Sequence, residues 1–247
     1  MSVIVEACVD SVASALAAER GGAQRLELCA SLADGGTTPS AGMLAAVKAA
    51  VRIPVVVIVR PRGGAFVHTR DEIGVMRLDI EAARMLGADG VAVGVLTGDG
   101  RVDAEQLHTL LGAAAEIPVT FHRAFDVVRD RDQAIETLIQ LGVKRVLTSG
   151  GAANALDGAA GIASLVRRSA GQIEVMAGGG VREEHVQELV HRTGVREVHV
   201  RGTRLARADA TDANHRVRLR KPLPDDENEW EETDETRIRE FVRLANG

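Results

Sequence analysis

The chain is poor in aromatic side chains and carries no excess of positive charge. Its 247 residues include no tyrosine, one tryptophan and four phenylalanines, and its formal net charge is −5. Proteins that bind nucleic acid combine a basic surface with aromatic side chains on which bases stack. The sequence has neither feature, so we expect no nucleic-acid partner.

Lysine is also scarce, since the chain contains only Lys48, Lys144 and Lys221. None of them stands at the carboxyl end of a predicted strand, which disfavours enzymes that form a Schiff base with a lysine amine. The first predicted strand continues into Val9-Asp10-Ser11 without a G-x-G-x-x-G turn. A dinucleotide site of the Rossmann type is therefore disfavoured as well.

Only two cysteines are present, and long apolar runs are absent. Two cysteines do not make a disulfide scaffold, and in a reducing compartment we expect them as free thiols. No run reaches the roughly 18 apolar residues that a membrane-spanning helix needs. The first residues enter a strand without the basic and apolar regions of a signal peptide. We therefore expect a cytoplasmic protein without a membrane partner.

What the sequence does have is a regular alternation of short apolar runs and segments of helical periodicity. The predicted strands are 3–8, 25–29, 54–60, 89–94, 118–122, 145–149, 173–177 and 196–200. The predicted helices are 11–20, 40–51, 71–86, 103–115, 131–141, 155–169 and 182–193, with a last helix containing Ile238, Phe241, Val242 and Ala245. Such alternation indicates a parallel sheet, and eight units in about 250 residues are typical of a (β/α)8 barrel. We predict an α/β fold, a single TIM-barrel domain over residues 1–247.

The regular pattern stops after the eighth predicted strand. Residues 203–221 are rich in arginine, and residues 225–235 are acidic. Loops of this length are usually functional or disordered, and blocks of like charge are usually solvated. We predict that 203–229 is a charged, mobile insertion before the last helix, on the pocket side of the barrel.

Polar or charged clusters follow five of the predicted strands. They are Glu6-Ala7-Cys8, Glu27-Leu28-Cys29, Arg60-Pro61-Arg62, His122-Arg123-Ala124-Phe125-Asp126 and Thr148-Ser149-Gly150-Gly151. In a parallel barrel the carboxyl ends of all strands open onto one face, which carries the chemistry. The sequence therefore predicts one polar pocket.

The pattern Glu-x-Cys occurs twice, in neighbouring predicted strands. Glu6 and Cys8 form the first copy, and Glu27 and Cys29 form the second. Alternate residues of a strand point to one side, and adjacent strands lie about 4.8 Å apart, so the two thiols can share one soft metal ion such as Cu(I). The alternative is that both cysteines are small apolar core residues, since free cysteine is often buried.

The charged residues of the predicted pocket allow two interpretations. They are Glu6, Glu27, Arg60, Arg62 and Arg123. Buried charges must be paired or hydrogen-bonded, and a purely structural ion-pair network satisfies that requirement. Otherwise the arginines form a clamp for carboxylate or phosphate, and the glutamates are the candidate acid and base groups.

Further candidates follow the fifth, sixth and seventh strands. His122 ends the fifth strand, where a ligand or a general acid or base is expected, and Asp126 is a further acid–base candidate. Ser149 and the triplet Gly178-Gly179-Gly180 are assigned to the anion site, because loops after strand seven often bind phosphate through backbone N–H groups. The alternatives are a structural histidine and a tight glycine turn. His199, near the end of strand eight, is a weaker candidate.

Seven segments resemble the CutC copper-homeostasis family. They are 5–11, Gly21-Gly22-Ala23-Gln24-Arg25-Leu26-Glu27-Leu28-Cys29, Gly35-Gly36-Thr37-Thr38-Pro39-Ser40, Arg60-Pro61-Arg62-Gly63-Gly64, Phe121-His122-Arg123-Ala124-Phe125-Asp126, Leu147-Thr148-Ser149-Gly150 and Gly178-Gly179-Gly180-Val181. The resemblance implies a cytoplasmic TIM barrel that forms homo-oligomers, dimers or tetramers, and takes part in copper handling. The family's proposed Cu(I) ligands fall on Cys8 and Cys29.

The chain departs from the family pattern at Gln24, at Val67-His68 and at Arg201-Gly202. The last departure places basic charge beside the eighth strand. The alternative to the copper hypothesis is a TIM-barrel enzyme of lyase, isomerase or hydrolase type that acts on a small anionic substrate.

Overall fold

Eight parallel strands close into a barrel in a computed structural model that describes residues 2–208 and 228–247. The strands are β1 (Ile4–Val9), β2 (Arg25–Leu28), β3 (Val55–Ile58), β4 (Gly90–Val93), β5 (Val119–Phe121), β6 (Arg145–Thr148), β7 (Glu174–Gly178) and β8 (Glu197–Val200). Each pairs with the next in the sequence, and β8 closes the ring on β1. The predicted TIM barrel is confirmed, and all eight strands lie where the apolar runs predicted them.

Helices follow the strands and surround the ring. They are α1 (Val12–Arg20), α2 (Ala41–Ala50), α3 (Arg70–Met85), α4 (Ala104–Ala114), α5 (Arg131–Gln140), α6 (Ala159–Ser169), α7 (Glu183–Thr193) and α8 (Glu235–Ala245). Several begin at a side chain that accepts a hydrogen bond from the first turn, as Thr69 does in a capping box with Glu72. Of the helices in the described part of the chain, none is long and apolar enough to span a membrane.

Helix α6 begins later than predicted, at Ala159 instead of residue 155. The N–H of Ala155 donates to the carbonyl of Gly179 at 2.8 Å, and the intervening residues form turns. Two short 3-10 helices, Leu32–Asp34 and Arg123–Val127, were also not predicted. All three differences lie at the carboxyl end of the barrel, where loops shape the cavity.

An antiparallel ribbon separates β8 from α8. Its strands are β9 (Thr203–Arg207) and β10 (Glu229–Thr233), joined by ion pairs such as Arg204 with Glu232. The predicted insertion over 203–229 contains ribbon strand at 203–207 and at Glu229, residues 209–227 lie outside the described residues, and the mobility of the insertion remains a prediction. Cross-strand pairs of opposite charge stabilise the ribbon.

The core has two zones because alternate residues of each strand face opposite sides. In β1, Val5, Ala7 and Val9 pack outward, within the large apolar cluster shared with the helices. Cys8 faces the barrel interior, in a small cluster with Cys29 and neighbouring side chains of β3 and β4. The helices thus cover an apolar layer, and polar side chains are concentrated inside the ring.

Candidate functional site

A cavity of about 280 Å³ opens at the carboxyl end of the barrel. Of the predicted site residues, those that line it are Cys8, Glu27, Cys29, Arg60, His122, Arg123, Gly179 and Gly180. Those that do not are Glu6, Arg62, Asp126, Ser149 and Gly178. Ligand pockets typically measure about 300–1,000 Å³, so this cavity accommodates an ion or a small molecule.

Two free thiols lie together at the cavity floor. Cys8 is in β1 and Cys29 follows β2, and their Sγ atoms are 3.7 Å apart. The residues are 5% and 1% exposed. The pairing register sets Cys8 beside Glu27, and Cys29 lies two residues further along the chain, just beyond the end of β2. The predicted approach of the two thiols is thus present in the geometry.

The two thiols share one negative charge. The hydrogen bond with Cys29, assisted by nearby His199, lowers the pKa of Cys8 and outweighs the effect of burial. The same hydrogen bond, together with burial, raises the pKa of Cys29. The pKa of Cys8 is therefore below that of Cys29, and Cys8 is the first of the two to become a thiolate.

His199 in β8 faces the thiols, and Glu6 binds the ring nitrogen on its other side. Its Nδ1 atom is 2.8 Å from Oε1 of Glu6, and its Nε2 atom is 3.8 Å from Oε2 of Glu27. Burial lowers the pKa of His199, but the neighbouring acidic groups Glu27, Cys8 and Glu6 outweigh it and raise the pKa well above its usual value. The imidazole is therefore a cation among acidic groups.

Glu27 completes the group of donors on this side of the cavity. Its Oε2 atom lies 3.4 Å from Sγ of Cys29. Burial, with the nearby charges of Cys8 and Glu6, raises the pKa of Glu27 to about 8, although the charge of His199 opposes this. Donor atoms of Cys8, Glu27 and His199 all lie within 4.8 Å of one another.

An ion-pair network fills the barrel interior beneath the cavity. Arg25 bridges the carboxylates of Glu6 and Glu197, and Arg145 binds Glu197 and donates to Thr120 Oγ1 at 3.2 Å. Burial tends to raise the pKa of Glu6, but His199 and Arg25 together lower it to about 2. Glu6 thus stays ionised and orients His199. Its predicted role as an acid or base remains a prediction.

The opposite wall of the cavity carries a different histidine. Nδ1 of His122 accepts a hydrogen bond from the N–H of Ala124 at 3.1 Å, and Nε2 is buried without a partner among the described residues. Burial and the charge of Arg60 lower the pKa of His122 to about 3. Gly94 makes room for this ring, since a Cβ there would lie 2.1 Å from Cε1 of His122. His122 is a neutral histidine.

The guanidinium of Arg60 is engaged by the loops that surround it. It donates to the carbonyls of Asp34, Gly36 and Gly64 at 2.8–3.2 Å. Its Cζ atom also lies 4.8 Å from the centre of the Phe66 ring, within the range of a cation–π contact. Arg60 therefore joins two loops at the cavity rim.

The other two predicted arginines bind partners of their own. Arg62 lies outside the cavity and forms a bidentate pair with Glu72. Arg123 lines the cavity, where it binds Asp126 at 2.8 Å and donates to Ser149 Oγ at 3.2 Å. Each of the three guanidinium groups thus has acceptors within the protein, and anion binding by them remains a prediction.

Asp126 and the glycine triplet shape the loops near Arg123. The carboxylate of Asp126 accepts hydrogen bonds from Thr148 Oγ1 and from the N–H groups of Ser149 and Gly151. Gly179 has φ +98°, and a Cβ there would lie 2.8 Å from Cζ of Arg123. Only glycine permits this close approach.

The family model described as the CutC family matches residues 3–204. The chain belongs to the CutC family. A copper homeostasis protein cutC homolog from Homo sapiens is 44% identical over 242 residues, covering 98% of this chain and 89% of the relative. A CutC protein from Xylella fastidiosa is 45% identical over 246 residues, covering 100% and 90%. The predicted resemblance is confirmed.

Solved structures agree with the CutC assignment. A CutC protein from Streptococcus agalactiae superposes with a TM-score of 0.77 at 35% identity, covering 80% of this chain and 97% of that one. Thiamine phosphate pyrophosphorylase from Pyrococcus furiosus has a TM-score of 0.61 at 14% identity, covering 98% and 95%. The second likeness shows the barrel fold alone.

Several residues of this CutC-family site were missed or underrated by the sequence reasoning. Arg25, Arg145 and Glu197 were not predicted, and His199 was ranked below His122. A signal was present, since Glu197 and His199 alternate in β8 as Glu6 and Cys8 do in β1. Charged residues at alternate positions of an apolar strand point into the barrel.

Proposed function

We propose that this CutC-family protein binds Cu(I) between the sulfurs of Cys8 and Cys29 and takes part in copper homeostasis. The observation that carries the proposal is the pair of buried sulfurs 3.7 Å apart at the cavity floor. Soft thiolate ligands favour Cu(I). The relatives named as copper homeostasis proteins support the part of the proposal that concerns copper homeostasis.

The surroundings of the two sulfurs fit a soft monovalent ion. Cys8 already carries negative charge, and the cation of His199 lies beside it. Two thiolates with one Cu(I) leave a single net negative charge, which the imidazolium offsets without any further charged group. The apolar side chains of Val56 and Ile58 pack in one cluster with the two cysteines.

A cytoplasmic location and a homo-oligomeric state, dimer or tetramer, belong to the same proposal. The location is supported by the free thiols, because the cytosol keeps cysteines reduced. Light scattering on the purified protein measures the oligomeric state directly. A mass equal to one chain would contradict that part of the proposal and leave copper binding intact.

The alternative, a barrel enzyme acting on a small anionic substrate, has less support. Its anion clamp needs Arg60, Arg62 and Arg123 to act together, and each is engaged by groups of the protein itself. Its acid and base candidates include Asp126, whose oxygens accept backbone N–H groups. We therefore favour metal binding.

Anaerobic titration with Cu(I) tests the proposal. The chain has two cysteines, so a variant with both Cys8→Ser and Cys29→Ser contains no thiol at all. We expect one Cu(I) per wild-type chain and no stoichiometric binding in the double variant. Each single variant is expected to bind more weakly, since one thiolate remains.

The serine substitutions change one atom at each position, so the barrel is expected to stay folded. Circular dichroism of both proteins checks this. Equal copper stoichiometry in the wild type and in the folded double variant would show that the cysteines are core residues, and would overturn the proposal.

A further inference from the structure

The geometry points to a wider metal site on the cavity floor, in which Cys8, Cys29, Glu27 and His199 together hold one divalent cation of the zinc type. The inference goes beyond Cu(I) binding and does not depend on copper being the natural cargo. It shares both thiols with the proposed copper site, so the two ions are expected to exclude each other.

The spacing of the sulfurs favours a tetrahedral ion. With metal–sulfur bonds of about 2.3 Å, tetrahedral coordination places two sulfurs about 3.8 Å apart, whereas linear coordination places them about 4.6 Å apart. The observed separation of the Cys8 and Cys29 sulfurs is 3.7 Å. The present spacing therefore suits an ion with more than two ligands, whereas Cu(I) held by the two thiolates alone requires the sulfurs to move apart by about 0.9 Å.

The oxygen and nitrogen donors continue the same geometry. Oε2 of Glu27 is 3.4 Å from Sγ of Cys29 and 3.8 Å from Nε2 of His199. With bonds of about 2.0–2.3 Å, a tetrahedral zinc ion separates such donors by about 3.4–3.6 Å. Donor atoms of Cys8, Glu27 and His199 lie within 4.8 Å of one another. Small shifts of these side chains therefore bring the donor atoms to the separations that a tetrahedral ion requires.

The orientation of His199 supports a role as a ligand. Metal-binding histidines usually donate their second ring N–H to a carboxylate or carbonyl. Nδ1 of His199 lies 2.8 Å from Oε1 of Glu6, so Nε2 is directed toward Glu27 and the thiols. Glu6 is itself fixed by Arg25 from the network below. The imidazole is thus positioned before any ion arrives.

The charge of the donor set also favours a divalent ion. Metal ligands bind as thiolate, carboxylate and neutral imidazole, so binding of the ion releases to solvent the protons that Cys29, Glu27 and His199 hold in the metal-free site. The four side chains then provide three negative charges. A divalent ion leaves one negative charge in the buried site, and a monovalent ion leaves two. Two sulfurs, one nitrogen and one oxygen also match the ligands that zinc takes in proteins.

The test uses Zn²⁺ and Co²⁺ added to the reduced, anaerobic wild-type protein. We expect one ion per chain, and X-ray absorption of the zinc form is expected to show two sulfur and two nitrogen or oxygen neighbours. The cobalt form is expected to give the intense visible bands of four-coordinate Co²⁺ with thiolate ligands. If the zinc in the wild-type protein has no sulfur neighbour, or has sulfur neighbours alone, the inference is overturned.

Variants then assign the nitrogen and oxygen donors. Glu27→Gln and His199→Gln preserve side-chain size, and we expect each to weaken Zn²⁺ binding by at least about tenfold, the lower limit for loss of an outer partner. His185→Gln is the control, because His185 is exposed on α7 and its loss is expected to have no effect. Unchanged Zn²⁺ affinity in both cavity variants would refute the assignment.

Cu(I) titration of the same variants separates the two proposals. Both variants retain both thiols, so each is expected to bind one Cu(I) per chain. Glu27→Gln is expected to bind it as tightly as the wild type does, and His199→Gln more weakly, because it loses the cation that offsets the charge of the thiolates. That result also shows that the cavity floor is intact in both variants. Loss of Zn²⁺ with retention of Cu(I) supports the wider site, whereas retention of both contradicts it. Absence of Cu(I) binding by the wild type contradicts the copper proposal alone.

Discussion

Two histidines on opposite walls of one cavity carry opposite charge states. His199 stands among Glu6, Glu27 and Cys8, and these acidic groups raise its pKa. His122 stands beside Arg60 in an apolar wall, and burial with that charge lowers its pKa to about 3. Both side chains are nearly buried. The neighbours, and not the depth of burial, decide which histidine is a cation.

The comparison also separates what each wall can bind. The thiol wall, defined by Cys8, Cys29, Glu27 and His199, gathers soft and anionic donors around the cation of His199. Arg201 also lines the cavity and acts on Cys8, but its guanidinium pairs with Glu231. The other wall presents Arg60 and Arg123, whose guanidinium groups already have protein acceptors. Metal cations therefore suit the first wall, and the second wall mainly shapes the cavity.

The largest expected effect comes from breaking the support beneath the thiol wall. Arg25→Met leaves the carboxylates of Glu6 and Glu197 buried without their shared partner. Removing one member of a buried pair typically costs about 3–5 kcal/mol of unfolding free energy. Urea denaturation at pH 7 measures this loss.

Arg168→Met is the matched control for that substitution. Arg168 is 40% exposed in its side chain and pairs with Asp132 and Glu136 at the surface. Exposed pairs contribute less than about 1 kcal/mol, so the control is expected to unfold close to wild type. If Arg25→Met and Arg168→Met lose the same unfolding free energy, the interior network stabilises the fold no more than a surface ion pair does.

A second experiment addresses the neutral histidine. Between pH 6.5 and 3 the unfolded chain binds a proton at His122 that the folded chain does not, so stability falls as the pH falls. At pH 5 this loss is about 2 kcal/mol relative to neutral pH. His122→Gln is expected to lessen the difference in unfolding free energy between pH 7 and pH 5.

The groups that face His122 are Arg60 and His68, with the ring of Phe66 between the loops. His68 also has a lowered pKa, mainly through burial, and it stays in both proteins, so the subtraction isolates His122. His185→Gln, at an exposed histidine, serves as the control. If the unfolding free energy depends on pH equally in the wild type and in His122→Gln, the imidazole of His122 is protonated in the folded protein as it is in the unfolded chain.

The smallest expected effect lies at the end of the interior network. Thr120→Val keeps the shape of the side chain but removes the oxygen to which Arg145 donates. An unsatisfied buried donor costs about 1 kcal/mol or somewhat more. Thermal unfolding is the measurement, with Thr109→Val on the exposed side of α4 as the control. No difference between the two variants would indicate that water replaces the lost acceptor.

The fold could be predicted because its signals are local. Each strand is a short apolar run, and turn glycines such as Gly142 and Gly194 end the predicted helices. Helix α6 was placed too early because the bond from Ala155 to Gly179 joins residues distant in sequence. The ribbon of β9 and β10 was missed because antiparallel pairing across more than twenty residues leaves no periodic signal.

The site could be predicted only in part. The thiol pair followed from strand parity, and the geometry places Cys8 and Cys29 in contact. The arginines were grouped because each follows a strand, but side-chain direction sends Arg62 to Glu72 and away from the cavity. His199 was underrated because its importance depends on Glu6 and Glu27, which approach it only when the ring closes.

Both cysteines of the chain line one small cavity, so all thiol reactions of the protein take place at that site. Their sulfurs are turned inward, so a disulfide between two copies of the chain would require the mouth of the barrel to open. Electrophoresis without reductant is therefore expected to show no cross-linked species. An arsenical reagent that bridges two thiols would cap the cavity floor with one molecule per chain, which gives a stoichiometric label for a protein with no other reactive sulfur.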